Sequence, residues 1–270
     1  MTHLLGVVGD PIAHSLSPFI HNGWLRAHQI DAVYSAFEVK AGELAAGLDG
    51  LARQGVIGLN VTLPHKEEAL RLSASVSETA QRLGAVNFLV RRDNGWIGDN
   101  TDAGGFGLTL DYGDIDVSGR TVFLLGAGGS ARAVASVLTE RGAKLTLCNR
   151  TVDRAEVLKR DLAPGARVLS LEEGLRQLPS AALVVNTLSL GHSGEKLELP
   201  EAAGGIFYDI SYGKGAAAAL AEAKTKGWRT LDGLGMLVAQ AAISFDHWFG
   251  IMPDMAEAHA RCRKLVEATS

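Results

Sequence analysis

Residues 121–125 form a short apolar run that passes directly into Gly126-Ala127-Gly128-Gly129-Ser130-Ala131 and then into a helical pattern over residues 130–141. No other stretch of the chain narrows its possible folds so far. A strand, a G-x-G-x-x-A turn and a helix form the phosphate-binding corner of a parallel sheet, where ligands sit at the carboxyl ends of the strands. Each residue has a physical reason. Gly126 permits the tight turn, Gly128 lets the backbone approach a pyrophosphate, and small Ala131 lets the helix pack on its strand. The helix start offers N–H groups and positive potential to phosphates. A glycine turn alone precedes many helices, but here strand and helix flank it on both sides.

The next apolar run, residues 144–148, ends at Asn149-Arg150-Thr151. Asn149 lies 23 positions past Gly126, near the ~20-residue spacing at which an acidic side chain reads a ribose hydroxyl. No acid stands there. Arg150, with Arg154 one helical turn on, supplies cations for a 2′-phosphate. The pattern predicts NADP rather than NAD.

The rest of the chain supports an α/β fold. Strand-like runs at residues 4–8, 32–39, 56–61, 183–186 and 206–210 alternate with helical spacing at 44–51, 216–226, 234–248 and 255–267. Residues 85–90 and 96–98 flank Asp93-Asn94-Gly95, a hairpin signal. Alternating strands and helices imply parallel sheet. Gly and Asp cluster over residues 100–118, which reads as a domain boundary, with a second crossing near Gly233. Residues 1–101 with 238–270 are therefore expected to form an N-terminal α/β substrate domain, to which the C-terminal helices return. Residues 102–237 are expected to form a Rossmann-type dinucleotide-binding domain.

Of the 270 residues 47% are hydrophobic and 21% charged, and the net charge is −4. That balance gives no electrostatic reason to expect a nucleic-acid or acidic-membrane partner. Two distant cysteines, Cys148 and Cys262, form no C-x-x-C pair, so a reducing compartment fits. The first nine residues read as a strand rather than a signal peptide, and no apolar run is long enough to span a bilayer. A cytoplasmic location is expected. His14, His21 and His65 lack the i, i+4 pairing of a zinc site and read as structural or solvated; no metal is predicted.

Four short motifs remain, each ordinary by itself. Ser15-Leu16-Ser17-Pro18 puts two hydroxyls at a helix entrance. Asn60-Val61-Thr62-Leu63-Pro64-His65-Lys66 places a lysine just past a strand end. Gly98-Asp99-Asn100-Thr101-Asp102 follows a strand bearing Asn87. Tyr212 follows another strand, and Gln240 lies on the helix over residues 234–248. Taken in order around the glycine loop, S-L-S-P, N-V-T-x-P-H-K, A-V-N, G-D-N-T-D, G-A-G-G, N-R-T and G-x-x-M-L-x-x-Q resemble the shikimate dehydrogenase family from Gly6 to about Gly250.

The resemblance implies a two-domain enzyme with its active site in the cleft between the domains, reducing 3-dehydroshikimate to shikimate with NADPH in the route to aromatic amino acids. Lys66 and Asp102 would be the catalytic pair. Ser15 and Ser17 would bind the substrate carboxylate, and Thr62, Asn87, Tyr212 and Gln240 would line the pocket. Gly126, Ala127, Gly128, Gly129, Ser130 and Ala131 would hold the pyrophosphate. Asn149, Arg150, Thr151 and Arg154 would hold the adenosine phosphate, and Thr187, Gly233 and Met236 would lie near the nicotinamide end. The chain would act as a monomer or a homodimer.

The chain departs from the family pattern at Phe88, Ala103, Leu188, His192, Gly235 and Ala239. Phe88, Leu188 and His192 bear on the fit of substrate and cofactor. A quinate/shikimate or aminoshikimate dehydrogenase of the same family is the nearest alternative. A non-catalytic ligand sensor with the same fold is the alternative from another class, although it would not need both Lys66 and Asp102.

Overall fold

The computed structural model describes residues 2–188 and 197–269. The chain folds as two compact units, Met1–Gly105 with Leu237–Cys262 and Phe106–Met236 with Arg263–Ser270. Residues 263–270, placed with the first domain on sequence, group with the second unit. Arg263 there grips both carboxylate oxygens of Asp232 at 2.6 and 2.9 Å.

The first unit is built on a six-stranded sheet: β1 (His3–Gly9), β2 (Ala32–Glu38), β3 (Val56–Val61), β4 (Ser75–Val76), β5 (Phe88–Arg92) and β6 (Gly95–Asp99), in the order β2-β1-β3-β5-β6-β4. β1, β2 and β3 run parallel. β5 then pairs antiparallel with β3, and the expected hairpin joins β5 to β6. Parallel strands need crossover helices, supplied by α1 (Ser17–Ala27) and α2 (Leu44–Arg53). Leu44, Leu48 and Leu51 recur at helical spacing and bury the inner face of α2 against Val8, Val56, Leu59 and Val61. α3 (Lys66–Leu72) leaves the carboxyl end of β3, and α4 (Glu78–Leu83) is capped by the Ser77 hydroxyl. On the other face Trp24, Tyr34, Phe245 and Trp248 pack around His21. Gly58 makes this possible, since a Cβ there would lie 2.3 Å from Trp248 Nε1.

The second unit has six parallel strands: β7 (Thr121–Leu125), β8 (Lys144–Asn149), β9 (Arg167–Ser170), β10 (Leu183–Asn186), β11 (Ile206–Asp209) and β12 (Arg229–Leu231). Their order is β12-β11-β10-β7-β8-β9, the doubly wound dinucleotide-binding arrangement, whose switch point lies between β7 and β10. Helices α6 (Gly129–Glu140), α7 (Val152–Leu162), α8 (Leu171–Gln177) and α9 (Lys214–Thr225) connect them. Phe123, Val184, Phe207 and Trp228 lie at the centre of one apolar layer.

The region 100–118, read on sequence as a boundary, holds a helix, α5 (Asp102–Tyr112). Its Gly104, Gly105 and Gly107 oppose helix formation in isolation. Packing reverses that preference: a Cβ at Gly105 would lie 2.8 Å from the backbone N of Gln240, on α10 (Leu234–Phe249). The last helix is α11 (Met255–Thr269). Among the described residues no helix is long and apolar enough to cross a membrane.

Candidate active site

In the first unit Lys66 is the first residue of α3 and Asp102 the first residue of α5. Lys66 Nζ donates to Asp102 Oδ2 at 2.5 Å, and the two residues are only 8% and 4% exposed. Burial of such a pair costs desolvation, so good geometry and further hydrogen bonds are needed to hold it. Both are present. Asp102 Oδ1 accepts from Asn87 Nδ2 at 2.8 Å. The Asn100 side chain accepts from the backbone N–H groups of Asp102 and Ala103 at 3.0 and 3.4 Å, satisfying two donors at the start of α5. A carboxylate at that position also meets the positive end of the helix dipole.

The lysine is positioned through its backbone. Val86 N donates to Lys66 O at 2.9 Å, which ties the start of α3 to the segment carrying Asn87. His65 is fully buried, with its Nε2 2.7 Å from Val39 O. Thr62, half-buried, forms the turn before it, with its carbonyl accepting from His65 N.

Gln240 projects from α10 with its Oε1 3.5 Å from Asn87 Nδ2. The structure thus brings together Lys66, Asp102, Asn87 and Gln240, which lie far apart in sequence. Ser15 and Ser17 stand at the entrance of α1, with Ser17 N donating to Ser15 Oγ at 3.2 Å. Three further members of the cluster, Asn60, Thr101 and Ser244, were not singled out as site residues on sequence. Asn60 and Thr101 stood inside the quoted motifs, and Ser244 lies one helical turn past Gln240, a spacing that puts both on one face.

Phe88 follows Asn87 as the first residue of β5 and stands directly opposite Asn60 of β3. There it packs on Trp248 and His247, at 5.0 and 5.2 Å between ring centroids.

In the second unit the glycine turn lies at the switch point. Gly126 has φ +112°, and a Cβ there would lie 2.3 Å from Thr187 Oγ1, so only glycine fits. Thr187 in turn bonds Leu125 O through both its N–H and its hydroxyl, at 2.8 and 2.7 Å. Gly128 differs, because a Cβ there would meet nothing within 4 Å. Its value is the open space before the start of α6, whose first turn carries no acid. An anion suits that position. Ala127, Gly129 and Ser130 complete the turn, and Ala131 is buried where α6 meets the sheet.

Asn149 ends β8, its amide donating to Thr151 O at 2.8 Å. Arg150 and Arg154 are exposed beside it, with Asp153 between them. Tyr212 is half-buried in the loop after β11. Gly233 has a packing reason, since a Cβ there would lie 1.8 Å from Ile210 O, and Met236 is buried nearby in the chain. Leu188 donates its backbone N–H to Asn186 Oδ1 at 3.2 Å, whereas His192 lies outside the described residues.

Asp209 ends β11. Burial pushes its carboxyl up to about 6, against the opposing bonds from Ser211 N and Asn186 Nδ2, both at 2.8 Å. Burial pushes the Cys148 and Cys262 thiols up to about 12 and about 11, so neither is a nucleophile at neutral pH. Among the described residues no group of three or more His, Cys, Asp or Glu could hold a metal ion.

Comparison with known proteins follows the same division. Residues 7–89 match the shikimate dehydrogenase substrate binding domain, residues 111–193 the shikimate / quinate 5-dehydrogenase family and residues 233–260 the shikimate 5'-dehydrogenase C-terminal domain. A shikimate dehydrogenase (NADP(+)) of Hyphomonas neptunium is 85% identical over 270 residues, all of both chains. A Thermus thermophilus shikimate 5-dehydrogenase crystallised with shikimate is 35% identical at a TM-score of 0.86, covering 98% of this chain and 100% of that one. The same enzyme with NADP(H) and shikimate gives 34% and 0.83, covering 97% and 99%. The chain belongs to the shikimate dehydrogenase family.

Proposed function

We propose that this chain catalyses the NADP-dependent interconversion of 3-dehydroshikimate and shikimate, working as a reductase in the formation of aromatic amino acids. The observation that carries the reading is the buried Lys66–Asp102 pair, held by Asn87. The relatives' names and bound ligands point the same way. Two buried free thiols suit a reducing compartment, and the cytoplasm is the proposed location.

Bound NADP supplies the hydride donor for reduction and the acceptor for oxidation. Lys66 faces the substrate oxygen, on which negative charge develops as the ketone is reduced. A cation there stabilises the transition state more than the ground state. Its ammonium then passes a proton to that oxygen, while Asp102 orients it and assists the proton's return. Asn87, Thr62, Tyr212 and Gln240 hydrogen-bond the substrate's polar groups, and Ser15 and Ser17 hold its carboxylate. A polyol acid leaves water only if each polar group finds such a partner.

The residues around the glycine loop fit the cofactor. The open space at Gly128 lies at a helix start, where the turn from Gly126 to Ala131 holds the pyrophosphate. Asn149, Arg150, Thr151 and Arg154 receive the 2′-phosphate and adenosine, and Thr187, Gly233 and Met236 border the nicotinamide end.

The test is formation of reduced nicotinamide from NADP⁺ or NAD⁺, with shikimate and quinate side by side. Shikimate with NADP⁺ is expected to exceed every other pairing in kcat/KM by at least ~10-fold, the scale of one well-used polar contact. Preference for NAD⁺ would overturn the role of Arg150. Shikimate binding without turnover would make the chain a sensor.

A further inference from the structure

We infer that Thr101 is a positioning residue: its hydroxyl, seated on Ser244, steadies the Asn87 amide and so sets how firmly Asp102 holds Lys66. The inference rests on the reading of Asn87, Asp102 and Lys66 given above.

Proton accounting within the cluster leads to it. A serine hydroxyl has one proton to give and two lone pairs to receive. Ser244 Oγ donates to Gln240 O at 2.9 Å, which commits its proton. It therefore accepts from Asn60 Nδ2 at 2.8 Å and from Thr101 Oγ1 at 3.2 Å. The Thr101 proton thus points to Ser244, and its lone pairs face Asn87 Nδ2 at 3.0 Å. The backbone N–H of Thr101 donates to Asn87 Oδ1 at 2.7 Å, which leaves Nδ2 to reach Asp102 at 2.8 Å.

The reversed amide is excluded twice. It would set Oδ1 against the Asp102 carboxylate and Nδ2 against the Thr101 N–H. Thr101 and Ser244 are 1% and 0% exposed, so neither is available to a dissolved ligand, and both act through Asn87. The hydroxyl at residue 101 is the nearer acceptor for the second Asn87 Nδ2 proton, at 3.0 Å against 3.5 Å for Gln240 Oε1. Removing it leaves that proton only the long contact to Gln240 and loosens the amide's hold on Asp102.

The experiment pairs kinetics with an observation of Asn87 itself. Thr101→Val keeps the shape and removes the hydroxyl; Thr101→Ser keeps the hydroxyl; Ser244→Ala removes its acceptor. With shikimate and NADP⁺, Thr101→Val is expected to lower kcat ~10- to 100-fold with KM changed less than ~3-fold, the cost of a reacting group out of place by about 1 Å. Thr101→Ser restores most of kcat, and Ser244→Ala loses a few-fold. In parallel, the two Asn87 side-chain amide protons, separate and slow to exchange with water in the wild-type protein by NMR, exchange faster in Thr101→Val and Ser244→Ala.

Wild-type kcat in both folded hydroxyl-removal variants, with protected Asn87 protons, would overturn the inference and leave the proposed activity standing. If Thr101→Val fails to fold, Ser244→Ala decides the matter by the same two readouts. Faster Asn87 exchange in the variants, alongside a wild-type protein that turns over neither polyol, would sink the proposed activity and keep the positioning role.

Discussion

Gly126 and Gly128 look equivalent in a G-x-G-x-x-A string, yet their surroundings differ. Gly126 is required by its own backbone and by Thr187, whereas Gly128 borders open space. Gly128→Ala is therefore expected to leave the unfolding midpoint within error and to raise KM for NADP⁺ ~10-fold or more, because the added methyl occupies the room a phosphate needs. Isothermal binding of NADP⁺ beside urea unfolding checks both halves. An unchanged affinity would move the phosphate elsewhere. Chemistry-bearing residues of this kind were legible in the sequence because they fall in unbroken strings, such as the seven residues ending at Lys66. Thr101 was legible only as a member of such a string, and Ser244 was not legible, since a buried serine four places after a glutamine has no signature until its neighbours in space are known.

At the scale of elements, most strands and helices follow from apolar periodicity. One exception, α5, shows why some do not. Three glycines in six residues argue against a helix, and the packing that outweighs them comes from α10, more than a hundred residues later. The same comparison separates the glycines. A Cβ at Gly105 meets backbone of α10 at 2.8 Å, while one at Gly107 meets side chains alone, Arg141 at 3.3 Å and Val137 at 3.9 Å. Gly105→Ala should lose about 1–3 kcal/mol through overpacking. Gly107→Ala should gain up to about 1 kcal/mol from helix propensity, because its Cβ meets no backbone. Urea unfolding of the two variants tests this, and equal effects would refute the account of how α5 is held.

Over the whole molecule, each unit buries a group whose titration opposes that of the other. In the first unit, burial pushes the His21 imidazole down to about 3, against a smaller opposing contribution from Asn60. Its pKa is below that of the unfolded chain, so the stability it contributes is full above ~6.5 and is lost as pH falls through that window toward the folded value. In the second unit Asp209, raised to about 6, runs the other way, and stability falls as pH rises from ~4 to ~6. His21→Leu should therefore lose less stability than the wild-type protein between pH 7 and pH 5, and Asp209→Asn should lose more. Denaturant midpoints at the two pH values check the slopes, and parallel slopes for all three proteins would contradict these assignments. Neither group touches the Lys66–Asp102 pair, on which the proposed activity depends. The most direct measurement is single-turnover reduction of NADP⁺ by shikimate in wild-type and Lys66→Ala protein, with shikimate binding followed in parallel. The wild-type protein should turn over and Lys66→Ala should bind shikimate but react ~10²–10⁴-fold more slowly, the scale of a lost general acid–base group; an unchanged rate in Lys66→Ala would contradict the mechanism at its centre.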